Sequence, residues 1–193
     1  TLYKAPHLPE WKGVNLQEKL GGWFNCEVKL LNDTAIVGLG EAVLGSGKGY
    51  DIAVYITIST GVGGVRIVDG KIDRNKFGFE IGHQIIGKGV ELEYYLAGSS
   101  HAKRFGMPSR EIKDKEFWKE VDYYTAVLAA NTTMYWSPAV IIFGGPVVND
   151  IHLDEVEKTT KELAFMYETT PHIVRSSLGA LGGLYGGMAY LKS

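Results

Sequence analysis

The sequence is poor in cysteine, in long apolar runs and in excess charge of either sign. Its single cysteine, Cys26, permits no internal disulfide and no cysteine zinc cluster, which fits a reducing, cytoplasmic setting. The longest apolar run, AVIIFGGPVV, is shorter than the roughly 18 residues of a membrane span. The 20 Lys and Arg residues nearly balance the 22 Asp and Glu residues. We therefore expect neither a nucleic-acid surface nor a membrane-binding patch.

Glycine is abundant, at 25 of 193 residues, and the stretch YITISTGVGGVRIVDGKI at positions 55–72 shows one use of it. Two β-type segments flank small residues at 59–64, and an Asp69-Gly70 turn follows, which predicts a β-hairpin. The run at 59–64 has so little side-chain bulk that a ligand can touch its backbone N–H groups, a geometry that suits phosphate. A plain hairpin turn accounts for the same residues.

Strand and helix patterns alternate along the rest of the chain. Asn15 and Glu18 form a capping-box pattern that predicts a short helix ending at Gly21-Gly22. Further patterns predict strands at residues 26–31, 52–58, 64–68, 139–143 and 172–177, and helices at residues 34–49, 110–136, 153–167 and 180–191. Residues 1–13 carry two prolines and no apolar period, so we expect an extended connector there. The pattern as a whole fits an α/β domain.

Asp33 lies between the strand predicted at residues 26–31 and the helix predicted at residues 34–49. Ligands of open α/β sheets bind where strands end and helices begin, so this carboxylate is a candidate for chemistry. A positioned carboxylate can act as a general base toward an alcohol. Aspartate is also a common helix cap, which explains the residue without any ligand.

Six motifs occur along the chain in the order LLNDTA, STGVGG, FEIGH, ELEYYLAG, FGGPVVND and SSLGALGGLYGGMAYL. Together they resemble the second half of the ROK family of repressors, open reading frames and sugar kinases. The resemblance covers nearly the whole chain. It implies an actin-like ATPase (ribonuclease H-like) domain, which is an α/β fold with a mixed sheet flanked by helices.

The resemblance also implies a sugar site. Asp33 matches the general base that accepts the proton of the sugar hydroxyl, and Asn32, Glu80, His83 and Glu93 match residues that hydrogen-bond the sugar. Fixed acceptors suit this task because a sugar that lacks one hydroxyl leaves a buried polar group unpaired. Without the family resemblance, His83 can be explained as a structural histidine, and Glu93 can be explained as a solvated helix residue.

The nucleotide side of the site is implied in the same way. Thr60, Gly61 and Gly63 match the phosphate loop of the family, and Gly144 and Gly145 match a turn close to the adenosine. The resemblance therefore implies ATP with Mg²⁺ as the phosphoryl donor. Gly144 and Gly145 can also be explained as a pair that ends a strand.

Two departures from the family pattern affect the sugar site. Most ROK proteins carry a zinc loop with three cysteines after the histidine, whereas the nine residues between His83 and Glu93 include no cysteine. A structural zinc site needs four ligands, so we predict no zinc, and His83 must be oriented by hydrogen bonds alone. Phe79 stands where the family usually has glycine, and its bulk is expected to narrow or reshape the sugar pocket.

Family members also have a further N-terminal portion with its own aspartate and phosphate loop. We expect residues 1–193 to be the C-terminal sugar- and nucleotide-binding lobe of a longer protein, inactive alone because the N-terminal lobe is absent. The parent is expected to be a sugar kinase of the glucokinase or fructokinase kind that phosphorylates a hexose with ATP. The family implies a homodimer or homotetramer. Two alternatives stay open, a sugar-sensing transcriptional regulator with its DNA-binding segment upstream and a non-catalytic relative.

Overall fold

The computed structural model describes residues 9–192, so most of the predicted connector at residues 1–13 lies outside the described residues. The chain divides into two compact units, Thr1–Asn32 and Asp33–Ser193. The first unit holds a 3₁₀ turn at Pro9–Trp11 and helix α1 at Leu16–Phe24.

Helix α1 begins at the predicted cap residue, Asn15, which pairs with Glu18. The Asn15 side chain accepts a hydrogen bond from the Glu18 backbone N–H at 3.4 Å and donates one to the Glu18 carboxylate at 3.1 Å. The helix continues past Gly21-Gly22 to Phe24, and the C-cap residue that follows, Asn25, is left-handed at φ 49°. The predicted end was wrong because an interior glycine disfavours a helix by only about 1 kcal/mol.

The strand predicted at residues 26–31 does not form. These residues are described and belong to no strand. A short apolar run becomes a strand only when another strand pairs with it, and none pairs with this run among the described residues. Asp33 therefore follows an irregular segment, and it is the first residue of a helix.

The second unit contains most of the secondary structure. In chain order its main elements are α2 (Asp33–Leu44), β1 (Ile52–Ile58), β2 (Val62–Val68), β3 (Lys71–Ile72), β4 (Ile85–Gly87), β5 (Val90–Glu91), α3 (Glu93–Leu96), α4 (Gly98–Phe105), α5 (Lys115–Trp136), β6 (Val140–Gly144), α6 (Leu153–Leu163), β7 (His172–Arg175) and α7 (Gly182–Lys192). Helix α5 begins five residues later than predicted because the Asp114 side chain caps it, accepting from the Glu116 N–H at 2.9 Å.

Five strands form a mixed sheet in the order β3-β2-β1-β6-β7. Strand β1 is antiparallel to β2 and parallel to β6, and β6 is parallel to β7. The parallel strands end at the same edge of the sheet. Strands β4 and β5 form a separate two-stranded hairpin. The predicted mixed α/β architecture is confirmed.

The predicted glycine loop is shorter in the structure than in the sequence pattern. Ile58 pairs with Val62, so the turn between β1 and β2 has three residues, Ser59, Thr60 and Gly61. Gly63 lies inside β2. The Asp69-Gly70 turn forms as predicted between β2 and β3, with φ values of 50° and 71°, both in the left-handed region that tight hairpin turns require.

Apolar side chains cover both faces of the sheet. On one face, strand residues such as Val54 and Ile56 pack with helices α3, α5 and α6. On the other face, Ala53 and Tyr55 pack with helices α2 and α7. This alternation follows from the two-residue period of a strand. The helices therefore form a layer on each side of the sheet, and strand β6 is buried along its whole length.

Helices α2 and α7 approach each other closely through glycine. A Cβ on Gly40 would lie 2.6 Å from the Gly182 carbonyl oxygen, and a Cβ on Gly186 would overlap the Ile36 carbonyl oxygen. Any side chain at these two positions would push the helices apart. The glycines thus fix the position of α2, whose first residue is Asp33. Among residues 9–192, no helix combines the length and apolar character that crossing a membrane requires.

Candidate functional site

A cleft of about 300 Å³ lies at the carboxyl end of β1. It opens between the first turn of α2, the tip of the β1–β2 hairpin and the first residue of α3. Its walls are formed by Asp33, Thr34, Val37, Tyr55, Thr57, Ser59, Gly61, Val62, Gly63 and Glu93. Four residues selected from the sequence, Asp33, Gly61, Gly63 and Glu93, therefore share one cleft. A larger cleft of about 910 Å³, at the amino ends of β6 and β7, contains none of the selected residues.

Asp33 is exposed at the start of α2. One carboxylate oxygen accepts a hydrogen bond from the Thr34 N–H at 2.8 Å. The positive end of the helix dipole favours a negative charge at this position. A carboxylate has two oxygens, so a bond to the first helical turn and a role at the cleft are compatible.

Glu93 is half-buried and hydrogen-bonded to the hairpin. Its Oε1 atom accepts from the Val62 backbone N–H at 2.6 Å. A Cβ on Gly61 would lie 2.8 Å from the same oxygen, and a Cβ on Gly82 would lie 2.7 Å from Glu93 Cγ. These two glycines let the backbone close around the carboxylate. Glu93 is therefore not a solvated helix residue, and part of its acceptor capacity is used to hold the hairpin.

Tyr55, Thr57 and Ser59 line the cleft but were not selected from the sequence. Tyr55 and Thr57 lie on β1 and Ser59 lies in the turn that follows it, and their spacing of two residues, typical of one face of a strand, was the available signal. Burial raises the pKa of Tyr55, a hydrogen bond with Thr57 lowers it in part, and the negative charges of Glu41 and Asp33 raise it further. The phenol therefore stays protonated at neutral pH and can donate a hydrogen bond beside Asp33.

Gly144 and Gly145 lie beside the end of β1 and do not line this cleft. A Cβ on Gly144 would lie 2.5 Å from the Tyr55 hydroxyl oxygen. Gly145 has φ 94°, and a Cβ there would overlap the Ile58 carbonyl oxygen. The pair ends β6 and lets the following chain turn against β1. These contacts agree with the simpler explanation of the two glycines.

Thr60 lies at the hairpin tip and lines a second cleft of about 480 Å³. Its carbonyl oxygen accepts from the Ser99 hydroxyl at 2.6 Å and from the Ser99 N–H at 3.1 Å. The tip is thereby joined to the first turn of α4. Pro146 and Val147 form another wall of this second cleft, directly after the two glycines. The predicted phosphate-loop residues thus divide between two adjoining clefts that meet at Ser59.

Glu80 and His83 adjoin the first cleft without lining it. Glu80 precedes the 3₁₀ turn Ile81–His83, and His83 is the last residue of that turn, whose central residue, Gly82, packs against Glu93. His83 Nδ1 lies 2.9 Å from Glu91 Oε2. This hydrogen bond raises the pKa of His83, burial lowers it in part, and the charges of Glu93, Glu91 and Glu80 raise it further. An ionised carboxylate only accepts, so Nδ1 donates and Nε2 is the atom left for another partner.

Asn32, which was also selected from the sequence, is the last residue of the first unit. Phe79 does not line the cleft. It packs edge-on against Trp136, with 4.6 Å between ring centroids. The ring points into the packing around β2 and α5, so its bulk does not narrow this cleft, and whether it reshapes a sugar pocket stays a prediction.

Within residues 9–192 no group of three or more His, Cys, Asp or Glu side chains is arranged to hold a metal ion.

The sequence model of the ROK family matches residues 1–193 of this chain. The chain belongs to the ROK family.

Relatives of known structure share the fold of this ROK chain. A ROK hexokinase from Thermus thermophilus superposes with a TM-score of 0.83, at 24% identity over 94% of this chain and 71% of that one. A ROK family glucokinase from Streptomyces griseus, in complex with glucose and AMPPNP, gives 0.78, at 23% identity over 99% and 76%. The actin-like fold predicted from the motifs is confirmed.

Among curated relatives, a fructokinase from Zymomonas mobilis is 29% identical over 94% of this ROK chain. The alignment covers 67% of the fructokinase. The chain thus spans about two thirds of that protein's length.

Proposed function

We propose that this chain is the larger, C-terminal lobe of an ATP-dependent sugar kinase that phosphorylates a hexose hydroxyl. The observation that carries the proposal is the shared cleft, which Asp33 lines together with the glycine-rich hairpin and Glu93. A candidate base and candidate phosphate-binding residues in one small volume are what a sugar kinase requires. The relatives support the same reading, since a fructokinase, a hexokinase and a glucokinase are among them.

In the proposed reaction Asp33 acts as general base. Its carboxylate takes the proton of one sugar hydroxyl while that oxygen attacks the γ-phosphorus of ATP. A new O–P bond forms, the bond from the γ-phosphorus to the bridging oxygen breaks, and ADP leaves with the electron pair. Such a base contributes about 10² to 10⁴-fold in rate. The rest of the acceleration comes from alignment and charge stabilisation.

We assign the sugar clamp to Asn32, Glu80, His83 and Glu93. Glu93 has one oxygen on the Val62 N–H, and its other oxygen is free to accept from a sugar hydroxyl. His83 and Glu80 are joined to the same wall through Gly82. Several fixed acceptors discriminate among sugars, because a wrongly placed hydroxyl leaves one of them unpaired.

Thr60, Gly61 and Gly63 are assigned to the phosphates, and Gly144 and Gly145 to the path of the nucleotide. The two clefts on either side of the hairpin tip share Ser59, and this adjacency supports neighbouring sites for a sugar and a nucleotide. Mg²⁺ would enter with ATP and would be held mostly by phosphate oxygens and water, since Asp33 and Glu93 are assigned to the sugar. When bound with ATP, the ion neutralises phosphate charge during transfer.

A second lobe, on the remaining third of a protein as long as the Zymomonas fructokinase, would complete the ATP site. We therefore assign the activity to the longer protein and expect the lobe by itself to be inactive. We also propose a homo-oligomer acting in the cytoplasm.

Replacing Asp33 by Asn in the longer protein tests the function. We expect kcat for hexose phosphorylation to fall at least about 100-fold, since the amide cannot accept the proton. Asp51→Asn is the matched control, because Asp51 is exposed at the opposite end of β1. Near-normal turnover in Asp33→Asn would remove Asp33 from the mechanism. Hexose binding without any turnover in the unmodified protein would favour the sugar-sensing regulator.

A further inference from the structure

The segment between His83 and Glu93 folds into the small β4–β5 hairpin. Its turn, Lys88-Gly89, has φ values of 45° and 79°, which is the left-handed pair of a tight two-residue turn. At its open end the Leu92 N–H donates to the Gln84 carbonyl oxygen at 3.0 Å. This hairpin folds the chain back on itself and brings Glu91, on β5, beside His83, just before β4.

The base of the hairpin is fixed to the rest of the lobe. The Gln84 side chain donates to the Ile81 carbonyl oxygen at 2.8 Å and accepts from the Asn131 side chain on α5. The 3₁₀ turn and the hairpin are therefore held together next to the cleft wall. The imidazole of His83 is connected to this framework through the 2.9 Å bond from Nδ1 to Glu91.

We propose that Glu91 is a positioning residue for the sugar site, which orients His83 through Nδ1 so that Nε2 faces the hexose. The idea rests on the proposed function, because it assumes that His83 binds sugar. In this proposal the hydrogen bond from His83 to Glu91 orients the imidazole in the absence of a zinc ion. The Glu91 carboxylate, on a short hairpin, fixes the ring and determines which ring nitrogen carries the proton.

The charges around His83 reinforce this arrangement. The ionisable groups that act on it are Glu80 before the 3₁₀ turn, Glu91 on β5 and Glu93 at the start of α3, and all three are acidic. All of them favour a protonated ring. The side chains of His83 and Glu91 are 53% and 49% exposed, so solvent weakens the pair and a hexose can reach the imidazole.

Nuclear magnetic resonance of this chain tests the orientation without sugar or ATP. The His83 signals are identified by their loss in His83→Gln. We expect a neutral ring protonated on Nδ1 in the unmodified chain. In Glu91→Ala the ring should shift toward protonation on Nε2, and its titration midpoint should move to lower pH. Glu116→Gln, which removes an exposed acid paired with Lys119 on α5, should change neither.

Sugar affinity in the longer protein tests the consequence. Glu91→Ala should raise the hexose KM, or the calorimetric dissociation constant, by roughly 3- to 10-fold, the size expected for one hydrogen bond. The ATP KM and kcat should stay within about twofold, and Glu91→Gln should fall between, since an amide oxygen still accepts. Unchanged His83 signals in Glu91→Ala overturn the proposal, as does unchanged sugar affinity in an active kinase. A protein that binds no hexose refutes the proposed function instead, and the resonance result still decides whether Glu91 orients His83.

Discussion

Helix α2 carries two carboxylates in opposite surroundings. Asp33 is exposed at its first turn, where one oxygen accepts from Thr34. Glu41, two turns later, is 1% exposed and accepts from the backbone N–H groups of Ser46, Ser177 and Leu178 at 2.8 to 3.1 Å. The buried acid therefore joins α2 to the loop after β7, whereas the exposed acid is available to a ligand. Position in the fold, and not residue type, separates the buried structural acid from the acid that lines a cleft.

The largest loss of stability in this comparison is expected from Glu41→Gln. The amide has one acceptor oxygen and places N–H donors against backbone donors, so at least one buried N–H loses its partner. We expect the free energy of unfolding, measured by urea titration, to fall by about 3 kcal/mol. Asp33→Asn should change it by less than about 1 kcal/mol, since asparagine also caps helices well. Equal losses at the two positions would refute the division of roles.

The glycine contact between α2 and α7 allows a second test, with a matched pair in one helix. A Cβ on Gly186 would overlap the Ile36 carbonyl oxygen, whereas a Cβ on Gly187 meets nothing within 4 Å. Gly186→Ala should therefore destabilise the protein by about 2 kcal/mol through forced separation of the helices. Gly187→Ala should stabilise it by up to about 1 kcal/mol, because alanine favours a helix. Thermal unfolding of both variants measures the difference, and the same sign for both would contradict the packing.

The smallest effect on stability is expected from the exposed pair of His83 and Glu91, which contrasts with the buried Glu41. Because the hydrogen bond to Glu91 raises the pKa of His83, the pair contributes stability that is fully present below about pH 6.5, the unfolded value. This contribution is lost as pH rises through the higher folded pKa. Since the pair is half exposed, it should be worth less than about 1 kcal/mol. Unfolding of the unmodified chain and of His83→Gln at several pH values should show a gap that closes as pH increases.

Several elements could be predicted from local sequence because local physics decides them. The Asn15 cap, the Asp69-Gly70 turn and the apolar strand AVIIF each depend on a few adjacent residues. The prediction of strands and loops failed at two places where the outcome depends on pairing with another strand. The apolar run at residues 26–31 found no partner strand, and the pairing of Ile58 with Val62 drew half of the expected glycine loop into β2.

In the candidate site, too, some features could be predicted from the sequence and others depend on tertiary contacts. The motifs selected Asp33, Gly61, Gly63 and Glu93, and the fold places these four in one cleft. The motifs did not indicate that Glu93 would hold the hairpin or that Glu91 would contact His83. Each of these contacts joins residues on different elements, so no spacing along the chain predicts it.

The sequence by itself determined the family, the layered α/β class and the residue types available for chemistry. Those follow from composition, apolar period and the order of motifs, which are properties of the chain. Only the tertiary structure decided which acids are buried and which face a cleft. Burial and hydrogen bonding depend on the neighbours that folding supplies, as the contrast between Asp33 and Glu41 on one helix shows.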